Sequence, residues 1–222
     1  MSVVVPAADY ASIEARSPRG RAPRKMTRMN RPVHLYLARH GETDLNVQMR
    51  YQGSTDMPLN ELGWTQAQSL AQRLPPDITR IVASPLLRAQ QTASLVSQAR
   101  GLPILTMSEF RERDFGVFET LTHEETQARY PELYARKVVM QWDEAPPKAE
   151  TIREVVARVQ AGLQRLEAEH GGESVLLVAH GFVARAVRYL VKRWPETDFY
   201  LEPLMGNGEI HHYPELRWTA AV

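Results

Sequence analysis

Two histidines stand in the same local setting. His40 follows the run HLYLAR and precedes Gly41, and His180 follows VLLVA and precedes Gly181. Both runs are β-prone and stop where the chain must turn, which places both imidazoles on loops leaving strands. Arg39 sits beside the first histidine, and Arg88 comes soon after Ser84 and Pro85 at the end of a third such run, Arg80 to Ala83. An imidazole can serve as nucleophile, base or metal ligand, and the planar fork of a guanidinium matches the oxygens of a tetrahedral anion. The chain has no cysteine, which excludes disulfides, thiolate metal sites, iron–sulfur clusters and a thiol nucleophile. The chemistry must rest on His, Glu, Asp, Arg, Ser or Thr. Zinc on His40, His180 and Glu112 is opposed by the two arginines, which would repel a cation. His211 and His212 are adjacent, so they diverge on a strand, with no carboxylate at metal-like spacing.

The elements that must position these groups alternate. Strands are expected at His34 to Ala38, Arg80 to Ala83, Leu102 to Met107 and Ser174 to Ala179, with an edge strand at Ile210 to Tyr213. Asn60 caps a helix that Pro75 and Pro76 end after Leu74, and Gly101 closes a helix spanning Leu86 to Arg100. Thr151 and Glu154 have the spacing of a capping box. Behind them Ile152, Val155, Val156, Val159, Leu163 and Leu166 form one apolar face. Phe182 to Arg193 is a last amphipathic helix. The stretch from Ser108 to Lys148 is irregular, with short helices expected near Thr122 to Arg129 and Glu132 to Val138. This alternation predicts an α/β fold with a largely parallel sheet covered on both faces. Ligands of such sheets bind beyond the carboxyl ends of the strands, where two arginines and two histidines would gather.

Of the 222 residues, 43% are hydrophobic and 24% charged, which is the balance of a globular protein, and no apolar run is long enough to cross a bilayer. Net charge is +1, yet residues 1 to 31 carry seven basic side chains against two acidic ones. That segment reads as a disordered basic tail, or as sequence ahead of a start at Met26 or Met29. An organellar transit segment, or a nucleic-acid or anionic-surface contact, ranks behind. The organisation expected is a tail, 1–31, followed by one catalytic domain, 32–222.

The stretch RHGETDLNVQMRYQGSTDMPLNELGWTQA, then SPLLRAQQTA, then FRERDFGVFE, then VLLVAHG closely resembles the histidine phosphatase superfamily, which includes phosphoglycerate mutases and acid and sugar phosphatases. The resemblance runs from about Val33 to Tyr213. It implies a three-layer α/β/α sandwich with a mostly parallel central sheet, and His40 as a nucleophile that forms a phosphohistidine. Arg39 and Arg88 match the phosphate-binding arginines, and His180 the second histidine, which donates to a phosphoryl oxygen. Glu112 matches the proton donor, expected to face inward with Arg111 and Arg113 turned aside. Asn46, Gln52 and Gly181 match positions that contact phosphate or substrate, and Gly41 would let the ring approach the phosphate closely. Neither cofactor nor metal is implied. The partner is a small phosphorylated substrate, with neither nucleic acid nor membrane expected, and the location is cytoplasmic.

Thr120 and Phe182 depart from the family, standing where glycine and smaller residues are frequent. Arg50, Tyr51, Arg111, Phe118 and residues 122–148 are candidates for the pocket wall. Glu112 and His180 lie 68 positions apart, whereas mutase members resembling this chain carry a longer insertion there. This favours phosphomonoester hydrolysis over a phosphomutase, and over a phospholigand binder without turnover.

Overall fold

The computed structural model describes residues 31–217, so the basic segment expected as a tail lies almost wholly outside the described residues. Five strands form one sheet: β1 (Val33–Arg39), β2 (Arg80–Ala83), β3 (Ile104–Thr106), β4 (Ser174–Ala179) and β5 (Ile210–Leu216). Their order is β3-β2-β4-β1-β5, and every neighbouring pair is parallel except β1 with β5. All six residues of β4 are buried, as a strand covered on both faces requires. Edge strand β5 tolerates Pro214 because one side of it is unpaired.

Helices cover both faces. On one lie α2 (Glu61–Arg73) and α3 (Leu87–Arg100), which bury Leu70, Ala89, Ala93 and Val96 against Ala38, Ile81, Leu176 and Val178. On the other lie α6 (Ile152–His170) and α7 (Gly181–Lys192), which bury Val155, Val159, Leu163, Val183 and Val187 against Leu35, Leu37, Val175 and Leu177. Side chains alternate across each strand, so one sheet feeds two cores, and each buried Val, Leu or Ile contributes roughly 1.5–3 kcal/mol by leaving water. The three-layer α/β/α sandwich expected from the sequence is the fold observed.

The caps agree in detail. The Asn60 side chain accepts the Gly63 amide at 2.8 Å, and Thr151 and Glu154 form the reciprocal capping box of α6. Gly101 adopts φ 65° past the end of α3. The differences lie in short elements. A one-turn helix, α1 (Asp44–Val47), capped by Thr43 and Asn46, occupies what reads as polar loop. Strand β3 is three residues long instead of six, because β2 offers it only Ile81 to Ala83 to pair with. Between β3 and α6 run α4 (His123–Arg129) and α5 (Pro131–Ala135). The helix expected to reach Val138 breaks at Lys137, at φ 51°, and resumes as a 3-10 turn, Val138–Met140.

Candidate active site

Strands β2, β4 and β1 are neighbours, and all three end at the same rim. The register pairs Arg39 with Ala179 and Ala83 with Val178. His40, His180 and Ser84, one position further on, are therefore brought together by the sheet's own hydrogen bonds; the His40 amide donates to Ala179 O at 3.0 Å. The two imidazoles lie with centroids 5.1 Å apart and tilted by 58°.

A carbonyl sets the tautomer of His40, and a hydroxyl faces His180. His40 Nδ1 lies 2.6 Å from the Gly41 carbonyl, which can only accept, so the proton sits on Nδ1 and Nε2 keeps its lone pair. His180 Nε2 lies 2.6 Å from Ser84 Oγ, and Ser84 Oγ also accepts the Leu86 amide. With the hydroxyl donating to Nε2, His180 carries its proton on Nδ1, a buried atom with no partner among the described residues. Burial, and then the charges of Arg88 and Arg39, hold His40 well below the usual histidine range. Burial and Arg88 do the same to His180, so both rings are neutral at physiological pH.

The two guanidiniums flank this pair. Arg88 is fully buried on the first turn of α3 and donates to Gly53 O at 2.8 Å and Thr55 O at 3.0 Å. Burial pulls it down to about 10, against the pull of Glu112 and Asp56, so it stays charged. Arg39 donates to Met205 O at 2.7 Å, and burial lowers it too, while Glu112 and Glu209 pull it up. Among the described residues each guanidinium leaves Nε buried without a partner, as Gln52 leaves its Nε2. Asn46 Oδ1 is taken by Thr43 and Asn207, which leaves its amide nitrogen as the free donor. Buried donors without acceptors are costly, and four of them around one imidazole are the counterpart of an oxyanion.

Glu112 sits on a loop, not on a strand. Its carboxylate accepts the Arg113 amide at 2.9 Å and the Phe182 amide at 3.2 Å, and it lines the same cleft. Arg111 is exposed and touches neither cavity described below, while Arg113 is buried away from the cleft over the rings of Phe115 and Phe182. Both turn aside as expected, although the cause is this loop and not strand alternation. Gly41 needs another account than the one its sequence context suggests. A Cβ there would lie 2.3 Å from Gly63 O, so the glycine admits the backbone of α2 and not the substrate.

The cleft of about 220 Å³ is lined by Arg39, His40, Asn46, Gln52, Glu112 and Gly181, and by Arg50, Tyr51 and His123. A larger cavity of about 630 Å³ lies alongside and contains neither histidine of the pair. Phe118 lines the larger cavity, and Tyr51 and His123 line both.

A model of the histidine phosphatase superfamily, branch 1, matches residues 35–214. The chain belongs to this superfamily. It is 39% identical over 154 residues to the "Uncharacterized phosphatase PhoE" of Bacillus subtilis, covering 68% of this chain and 73% of that protein. It is 34% identical over 159 residues to "Phosphoglycerate mutase-like protein 4" of Arabidopsis thaliana, covering 70% and 69%. A mycobacterial glucosyl-3-phosphoglycerate phosphatase solved with VO3 superposes with a TM-score of 0.74 at 31% identity, over 81% of this chain and 90% of that one. Some mycobacterial relatives are longer, and the chain spans 41% of their length.

Several residues that hold this candidate site escape a sequence reading. Arg158, on α6, donates to the carbonyls of Glu109, Arg111 and Glu112 at 2.9, 2.6 and 3.1 Å, and so fixes the loop that carries Glu112. It also grips the Glu150 carboxylate; burial pushes Glu150 up, but Arg158 outweighs it and leaves that acid below its usual range. Glu119 accepts the amides of Ser54 and Thr55 at 2.6 and 2.9 Å, shaping the loop whose carbonyls hold Arg88. Asn207 donates to His40 O at 3.0 Å from 167 positions away. Only the Gly206, Asn207, Gly208 turn marks that last residue in the sequence; the others look like ordinary surface charges. Among the described residues no group of three His, Asp or Glu could hold a metal, and no helix is long and apolar enough to cross a membrane.

Proposed function

We infer that this chain hydrolyses a small phosphomonoester in two steps through a phosphohistidine on His40. The observation that carries the reading is the free Nε2 lone pair of a neutral, buried His40, ringed by the unpartnered donors of Arg39, Arg88 and His180. Nε2 attacks phosphorus and the bond from phosphorus to the ester oxygen breaks. A protonated Glu112 gives its proton to that oxygen, and the alcohol leaves. As the imidazole takes up positive charge, its Nδ1–H stays bonded to Gly41 O. Water then attacks the phosphohistidine, Glu112 takes a proton from it, the P–N bond breaks and inorganic phosphate is released. The guanidiniums, the His180 Nδ1–H, Gln52 and the amides opening α7 offset the charge on the phosphoryl oxygens, work for which no metal is needed. The catalytic domain in this reading is 32–222, preceded by the basic segment 1–31, and it acts in the cytoplasm without a cofactor.

Trapping with a phosphate-labelled ester tests this. The wild type should acquire an acid-labile, base-stable label and release phosphate in the presence of chelator, and His40→Ala should do neither. Isomerisation of a phosphorylated sugar acid faster than phosphate release would point to a mutase instead. Binding without either label or release would reduce the site to a phospholigand receptor.

A further inference from the structure

The cleft of about 220 Å³ has room for a phosphoryl group and a small body, and the cavity beside it, at about 630 Å³, has room for a much larger one. The two share a wall: Tyr51 and His123, joined by a hydrogen bond of 3.3 Å between the Tyr51 hydroxyl and His123 Nδ1, line both. Burial pushes the Tyr51 hydroxyl up to about 12, so this wall carries no negative charge. On the cleft side Tyr51 packs against Phe115, with centroids 5.0 Å apart, and on the far side against Phe118 at 5.8 Å. Beyond Phe118 the larger cavity is walled by Leu133, Tyr134, Val138 and Met140. Its lining includes no carboxylate and a single permanent cation, Lys137. Beside Lys137 its polar groups are few, Gln127, His123 and the hydroxyls of Tyr51 and Tyr134, so a polyol or a second phosphate would exchange water for few partners, whereas an apolar ring system would gain by burial.

Resting on the phosphohydrolase reading above, we propose that this cavity receives the alcohol part of the substrate, and that the preferred substrate is the phosphate ester of a bulky apolar or aromatic alcohol. The phosphoryl group sits among Arg39, His40, Arg88 and His180, and the ring passes Tyr51 to lie between Phe118 and Met140.

Two esters of primary alcohols, 2-naphthylmethyl phosphate and sn-glycerol 3-phosphate, have comparable leaving oxygens and differ in the body they carry. The purified protein should favour the naphthylmethyl ester in kcat/KM by at least about tenfold, the scale on which apolar pockets discriminate. Met140→Glu and Ala135→Glu place a carboxylate in the wall at exposed positions, where folding is spared. Each should cut that ratio by about tenfold. A ratio near one, or a ratio both variants leave unchanged, overturns the proposal while leaving hydrolysis intact. If neither ester is cleaved the phosphohydrolase reading fails, and calorimetry with 2-naphthylmethylphosphonate against methylphosphonate then decides the cavity alone. Tighter binding of the naphthyl compound, lost in Met140→Glu, upholds the cavity as the apolar site, and equal binding overturns it.

Discussion

The phosphate cleft and the apolar cavity meet at one tyrosine and one histidine but are built from different material. The histidines and arginines of the cleft stand at the ends of adjacent strands and on the first turn of α3, so ladder hydrogen bonds fix their geometry, while residues 46–53 and Glu112 complete its wall. The cavity is walled by short helices and 3-10 turns between 116 and 140, several of whose joints lie in the left-handed region, among them Thr120 at φ 65° and Lys137 at φ 51°. Charge transfer demands donors placed to a fraction of an ångström, which a sheet supplies. An apolar body asks only for volume and dryness, which short helices give with less rigidity.

The sharpest way to break this contrast is at Arg88, which ties the cleft to the 53–55 loop. Arg88→Lys keeps a charge but cannot satisfy both Gly53 O and Thr55 O while still facing a phosphate. We expect kcat/KM to fall by roughly 10²–10³-fold, the scale for losing one organised donor. Steady-state kinetics on any accepted ester measures it, and a loss under about threefold would show that strand-end geometry tolerates a looser cation.

Acid should separate the two regions next. His40 and His180 have folded pKa values depressed below 6.5, so the unfolded chain binds more protons as pH falls through that value. Stability is full above 6.5 and lost below it, by up to about 1.4 kcal/mol per pH unit for each histidine. Urea unfolding between about pH 7 and pH 5 should show that slope, and the double variant His40→Gln, His180→Asn should flatten it. A slope unchanged in that variant would place the acid sensitivity outside the cleft.

The smallest effect belongs to the cavity side. Thr120 pays for its left-handed backbone about 1–2 kcal/mol, of which a glycine's extra freedom in the unfolded chain returns roughly 0.5–1. Thr120→Gly should therefore stabilise the fold by under about 1 kcal/mol, a rise of roughly 1–3 °C in Tm. Calorimetry reads it directly. A decrease would mean that the Thr120 amide bond to Tyr51 O depends on the stiffer residue.

The sequence by itself determined the layers and the candidate reacting groups. Apolar runs of period two and stripes of period 3.6, closed by Asn60, Thr151 and Gly101, state their own secondary structure, because those preferences act over a few residues. His40, Arg39, Arg88, His180 and Glu112 were readable as candidates from their motifs, and the gathering of the two histidines and two arginines at one rim was readable from where the strands end. Only the tertiary structure decided which nitrogen of His40 is free, that Gly41 serves the approach of α2, and that Arg158, Glu119 and Asn207 hold the site from a distance. The His40 ring is held by the carbonyl of its neighbour Gly41, a matter of rotamer, whereas the others depend on partners more than twenty positions away, which packing chooses and no local periodicity records. The apolar cavity belongs with them, since a void is defined by walls brought together from separate segments and has no residue of its own.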